Sequence, residues 1–224
     1  MISLEEWKSM CGTEKTLYLE LNAKVKDCTL RRRPMYGRGS NDAKYKTKPT
    51  IDGVVVKCPA YASWSNMLKR AYDKKFHANQ STYAGVSVCD EWHSLSAFRL
   101  WWLENHVDGW HLDKDIVCDS RTYSPDTCIF VPRWLNNFTI DSGSARGEWP
   151  IGVSFRSDIG KFASHCNNPI LMKFEHLGHF DNPIDASKAW LTRKLEIALE
   201  LKSQMDGIDL RIYPRVVEII GRLK

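Results

Sequence analysis

No Cys-x-x-Cys pair occurs in this chain, no apolar run is long enough to span a bilayer, and neither acids nor bases dominate its composition. Each absence closes off a class of protein. Paired CxxC motifs are the strong sequence sign of a four-cysteine zinc brace, so structural zinc is not expected. Cys89, Cys118, Cys128 and His93 could build such a site only if the fold gathered them from afar, and buried free thiols are the simpler reading. Seven cysteines at irregular spacing do not make a disulfide framework, because the count is odd, and they point to reduced thiols. The opening MISLEEWKSM has neither the basic start nor the apolar centre of a secretory leader. A soluble, intracellular, cytoplasmic protein with no membrane partner is therefore expected.

What is present is apolar and aromatic. With 224 residues, 43% of them hydrophobic, and nine tryptophans, the chain can bury a substantial core and should form two domains or more. The patterns divide it at 1–57, 58–145, 146–204 and 205–224. Ser3 to Lys26 reads as helical, capped by Ser3, with Glu5 and Glu6 in the first turn. The net charge is only +5, but between Asn22 and Lys48 nine Lys or Arg stand against Asp27 and Asp42. Within that stretch, RRRPMYGRGSNDAKYKTKP has Pro, Gly and little apolar periodicity. It reads as an extended arm in which Arg31, Arg32, Arg33 and Arg38 contact phosphates. The tail from Met205 carries an apolar helix begun near Pro214, which serves either core packing or a dimer contact.

The stretch from Pro150 to about Leu201 is the most informative. IGVSFR, GKFASHCN and HLGHFDN alternate apolar and polar positions and are separated by turn residues; PIDASKAWLTRKLEIALEL follows. This is a three-stranded antiparallel sheet packed on one helix. Val153, Phe155, Phe162, Leu177 and Phe180 face the helix, whose stripe is Ile184, Ala186, Ala189, Trp190, Leu195, Ala198 and Leu199. Asp181 or Asn182 caps it and Pro183 fits its first turn. The other sheet face carries Arg156, Lys161, His165 and Lys173, which suits a nucleic-acid groove.

These residues also carry a resemblance. IGVSFR, GKFASHCN, LGHFDN and DASKAWLTRKLE resemble the plant Apetala-two or ethylene-response-factor DNA-binding domain, over roughly 148 to 201. The resemblance implies that the sheet meets double-stranded DNA through Arg156, Lys161 and His165, with Arg146 nearby. Ser154 stands where the plant domains usually place a base-reading arginine.

In the middle segment, CPAYASWSNMLKRAYDKK spaces Tyr61, Trp64, Met67, Leu68 and Tyr72 as a helix does; YAGVSVCDEW gives a short strand, and a Ser94- or Ser96-capped helix carries Phe98, Leu100, Trp101 and Trp102. These aromatics read as core. HLDKDIV, YSPDTC, IFVP and RWLNNF then read as strand, loop, strand and helix, the plan of a ββα-metal site. The fold class expected is thus α+β, with an HNH-like ββα-metal central domain. Such a site holds one divalent cation on the scissile phosphate and a base that activates water. Asp113 and Asp115 are candidate metal ligands, because residues two apart on a strand share a face and such a pair can hold Mg²⁺ or Mn²⁺ with several waters. Asn136 or Asn137 would add an oxygen from the helix.

YASWSNMLKRAYD, YAGVSVCDEW, LDKDI, YSPDTCIFVP and NNF resemble phage HNH-type homing endonucleases that carry an Apetala-two domain at their C-terminus. This implies a metal-dependent DNA endonuclease of a phage-infected bacterium, with Asp113 at the first metal-ligand position and Asn136 on the helix. Lys114 falls at the position of the general-base histidine. A protonated lysine cannot accept a proton from water, which leaves His111 and His93 as substitutes. Thr127 stands where many relatives have asparagine. Two other readings are kept: a catalytically degenerate DNA-binding protein, such as a regulator or replication factor, and a phage protein that binds a host protein.

Overall fold

The computed structural model describes residues 2–25, 32–141 and 148–223; Arg31 and Arg146 lie outside them. The protein belongs to the α+β class, with small sheets among helices. The four stretches read from the sequence fold into two compact units, residues 1–130 and 131–224.

In the first unit, the single N-terminal helix expected is two, α1 (Leu4–Ser9) and α2 (Gly12–Asn22). Ser3 and Glu6 form a capping box on α1, and Cys11 and Glu14 form a second one on α2, which restarts the helix. The break is stabilised by tertiary structure: the Gly12 amide donates to the Asp108 carboxylate at 2.9 Å. A short hairpin follows, β1 (Thr50–Ile51) with β2 (Val54–Val55). Helices α3 (Pro59–Tyr72) and α4 (Lys74–Asn79), strand β3 (Ser87–Val88) and α5 (Leu95–Asn105, capped by Ser94) come next. Trp64, Met67, Leu68, Trp92, Phe98 and Trp102 are buried, so the aromatic series is core as expected. Trp7 and Leu19 share that core. Strand β4 (His111–Asp113) pairs with β6 (Ile129–Val131), on which the chain passes into the second unit, and β5 (Thr122–Tyr123) pairs in parallel with β3.

The described part of the basic stretch, from residue 32 onward, is not a free arm. From residue 42 to 48, burial alternates strictly: Ala43, Tyr45 and Thr47 are buried, while Asp42, Lys44, Lys46 and Lys48 are exposed. Extended backbone imposes that period of two, so the lysines form a solvent-facing row over a packed inner face. Arg32, expected on phosphates, donates instead to the carbonyls of Asn41, Ala43 and Tyr45.

In the second unit, α6 (Arg133–Phe138) precedes a three-stranded antiparallel sheet in the order β7 (Val153–Arg156), β8 (Lys161–Asn168), β9 (Lys173–Phe180). Its backing helix is α7 (Pro183–Glu200), capped by the Asn182 side chain on the Asp185 amide at 2.9 Å. The buried stripe differs from the expected one. Ala186, Trp190, Lys194, Ile197 and Ala198 are inside, whereas Ile184 and Leu199 are exposed. Positions 186, 190, 194 and 197/198 follow the three-to-four-residue spacing of one helix face, and that geometry takes Lys194 inward despite its charge. Helix α8 (Lys202–Asp206) leads to α9 (Ile212–Arg222), whose Ile212, Val216 and Ile220 are buried within this unit. The tail therefore packs on the core of this unit.

Candidate active site and nucleic-acid interface

The first unit carries the candidate catalytic residues His111, Asp113, Lys114 and Asp115. Strand β4 ends at Asp113, and the chain bends immediately after it. The bend is built by Asp113 itself: its Oδ1 accepts from the amides of Asp115 at 2.7 Å and Ile116 at 2.8 Å, a turn in which a short carboxylate replaces a backbone carbonyl. Asp115 is therefore not on the strand, and the shared-face argument for an Asp113–Asp115 metal pair does not hold. The Asp115 carboxylate instead takes the Lys114 ammonium.

Lys114 is only 6% exposed. Besides Asp115 it donates to the Ser120 carbonyl at 3.4 Å, and its ammonium stands 5.8 Å from the Tyr123 ring centroid. A buried ammonium held by a carboxylate, a carbonyl and a π face is a structural pin for the loop. It is not placed as a base.

Of the two substitute histidines, His93 is half-buried, with Nε2 at 2.9 Å from the Tyr72 hydroxyl and Nδ1 at 3.7 Å from Asp90. Its nitrogens serve the fold. His111 is exposed and lines a cleft of about 250 Å³ with Ser63, Asn66, Met67, Arg70 and Phe130. Because it lies two residues before Asp113 on β4, both side chains leave the same face of that strand. Burial raises the Asp113 carboxyl above its ordinary range; its two amide bonds pull it back, Asp115 raises it again and Lys114 lowers it. Among the described residues, no three His, Cys, Asp or Glu side chains form a group able to hold a metal.

Arg70, which carried no functional reading in the sequence, belongs with this site. It leaves α3 into the same cleft as His111, stands 5.9 Å over the Tyr83 ring, and lies in the field of Asp113. The sequence signal was weak: an arginine on the partly buried flank of α3, next to the packed stripe. Asn136 sits on α6, in the second unit. Cys128 is buried and its thiol pushed up to about 12 by that burial, while burial also raises Cys89.

In the second unit, strand register sorts the sheet's two faces. Phe155 pairs with Phe162 and Phe162 with Phe180, while Cys166 pairs with Glu175. Glu175 receives Arg193 of α7 at 2.8 Å, so this set lies on the helix side. The opposite, open set contains Ser154, Arg156, Lys161, His165, His176 and His179. Arg156, Lys161 and His165 thus lie on the face expected of them. Lys173 does not: it pairs with buried Asn168 and is two residues from Glu175, on the helix side.

Two cations of the open face have acidic partners. Arg156 bonds Asp158 through Nε at 3.0 Å and Nη2 at 2.8 Å, and Lys161 reaches Asp181 at 3.1 Å. All four side chains are about half exposed or more. Exposed pairs of this kind contribute little to stability, so a phosphate can exchange for either carboxylate. Arg33 and Arg38 are exposed, in the first unit.

The chain matches no protein-family model, no curated protein and no solved structure. No helix of the described residues is long and apolar enough to cross a membrane.

Proposed function

We propose that this protein binds double-stranded DNA through the open face of the β7–β9 sheet, and that its first unit cleaves or nicks the bound duplex with a divalent cation. The observation that carries the reading is the sorting of Arg156, Lys161 and three histidines onto one sheet face while α7 covers the other. A half-covered sheet whose open face carries cations is suited to the phosphates and base edges of a DNA groove. The resemblance to Apetala-two domains and to phage HNH homing endonucleases supports the same assignment.

In this reading Asp113, whose Oδ1 carries both amide bonds, would be the carboxylate that holds Mg²⁺ or Mn²⁺. The cation would neutralise charge on the scissile phosphate. His111 would be the base toward the attacking water, and Arg70 would be the contact to a phosphate oxygen.

Asp113→Ala is expected to lower Mg²⁺-dependent nicking of supercoiled plasmid by about a hundredfold or more, the scale of losing one group aimed at transition-state charge. Wild-type nicking should rise with pH through the acid range, because burial raises the Asp113 carboxyl and only the carboxylate binds a cation. Plasmid left intact by the wild-type protein with Mg²⁺ and with Mn²⁺ would remove the cleavage half of the proposal.

A second reading, DNA binding without cleavage, is favoured by one observation: Lys114, at the base position, is buried and paired to Asp115. Both readings share the binding step. If about six phosphates are neutralised, affinity should fall about a thousandfold between 50 and 200 mM salt. A protein partner docked on aromatic side chains would show a far smaller salt dependence, and a flat salt titration would favour it.

A further inference from the structure

Three of the chain's seven histidines lie within fifteen residues of one another, at 165, 176 and 179. A regular strand would send residues 176 and 179 to opposite faces, since they are three apart. The sheet does not allow that outcome. Ser164 pairs with Gly178, but His165 pairs with His176, so Leu177 is an extra residue in a β-bulge. Gly178 absorbs the kink at φ +124°, backbone that only glycine takes readily. The bulge brings His179, opposite Ala163, onto the same face as His165 and His176. Ring centroids are 4.9 Å apart for His165–His176 and 4.7 Å for His176–His179, and Nδ1 of His176 is 3.2 Å from Nε2 of His165.

That nitrogen pair has a chemical consequence. A hydrogen bond between two imidazoles needs one lone pair, so the accepting ring is neutral. Once protonated, both rings have only N–H donors to present, and an anion must come between them. Among the described residues, the charged groups on this face are Arg156 and Lys161, with Asp158 and Asp181 as their partners. Asp158 also lies in the field of His179. Arg193, Glu175 and Lys194 are on the far side of the sheet, toward α7.

We propose that His165, His176 and His179 form a proton-linked phosphate site, which takes up protons from solvent as a DNA phosphate binds across the three rings. This rests on the DNA-binding reading and adds to it two residues, His176 and His179, and a dependence on pH. Burial, then the positive neighbours His176, His179 and Arg156, lower the proton affinity of His165 in the free protein. A bound phosphate reverses the second influence by placing negative charge among the rings. Proton uptake and phosphate binding therefore reinforce one another.

The test is binding of a 20-base-pair duplex of mixed sequence, by fluorescence anisotropy at fixed ionic strength from pH 5.8 to 7.8. Wild-type affinity is expected to fall about tenfold or more across that range, while H165Q/H176Q/H179Q binds with a nearly flat profile. Calorimetry in two buffers of different ionisation heat should register proton uptake for the wild type only. Should the triple variant unfold, His176→Gln, at an exposed ring, should halve the pH slope or better. A flat wild-type profile, or a slope kept by the variants, overturns the proposal and leaves DNA binding standing. Absence of duplex binding at every pH overturns both.

Discussion

Gly152→Ala is expected to lower the stability of the second unit by about 2–5 kcal/mol and to weaken duplex binding with it. Gly152 has φ +77°, and a Cβ there would stand 2.1 Å from Cδ1, 2.6 Å from Cγ and 2.7 Å from Nε1 of Trp190. Forcing an alanine into left-handed backbone costs about 1–2 kcal/mol, and overpacking a filled core adds about 1–3 kcal/mol. Trp190 cannot retreat, because it is buried in the stripe of α7. Gly152 cannot shift freely either, since its carbonyl accepts from His165 N at 2.8 Å. Against a total stability of about 5–15 kcal/mol for a domain, such a loss removes a large share of what keeps the unit folded. Gly160→Ala is the matched control: φ is +65° but nothing lies within 4 Å of its Cβ position. It should cost only the backbone share. Equal thermal midpoints for the two variants would show that the approach of Trp190 does not limit the fold.

Lys194→Met should act in the opposite direction, raising stability at pH 7 by about 2 kcal/mol. Lys194 is 7% exposed, and burial brings its ammonium down from 10.5 to about 8. At about 1.4 kcal/mol for each pH unit of that depression, holding the charge inside costs about 3 kcal/mol. The ring of Phe138, 3.6 Å from Nζ, returns part of it. Because the folded pKa lies below the unfolded one, the unfolded chain binds more protons between about 8 and 10.5. The penalty is complete below pH 8 and disappears as pH rises to 10.5. Urea unfolding at pH 7 and pH 10 should therefore show wild-type stability gaining on that of Lys194→Met at the higher pH. A variant less stable than wild type at pH 7 would mean that the cation–π contact outweighs the cost of burial.

The elements were legible because their signals are local. The three strands and long helix of 150–201, the Ser94 cap, the buried aromatic stripe of α3 and the strand–loop–strand–helix order around β4 and β6 follow from residue spacing and turn chemistry. Where spacing was overlooked, as in the inward Ala43, Tyr45 and Thr47, the information was present all the same. The period of two was masked by lysines at every alternate position.

Partner choice was not legible in the same way. The partners of Arg32, Lys114 and Lys194 are not visible along the chain: one clamps backbone carbonyls, one pins a loop and one lies in the core. A charge finds its partner through space, at separations that no window along the chain reports. The Asp113–Asp115 pair failed for a smaller reason: the strand stops at Asp113, because its own carboxylate caps the bend that follows.

The sequence by itself determined the α+β class, the amphipathic faces and the positions of most caps, since these depend on interactions within a few residues. Tertiary structure alone decided which cations stay available to a ligand, where Arg70 and His111 share a cleft, and that the bulge at Leu177 gathers three histidines on one face. Those outcomes depend on register and burial, which are set by every strand and helix packing at once.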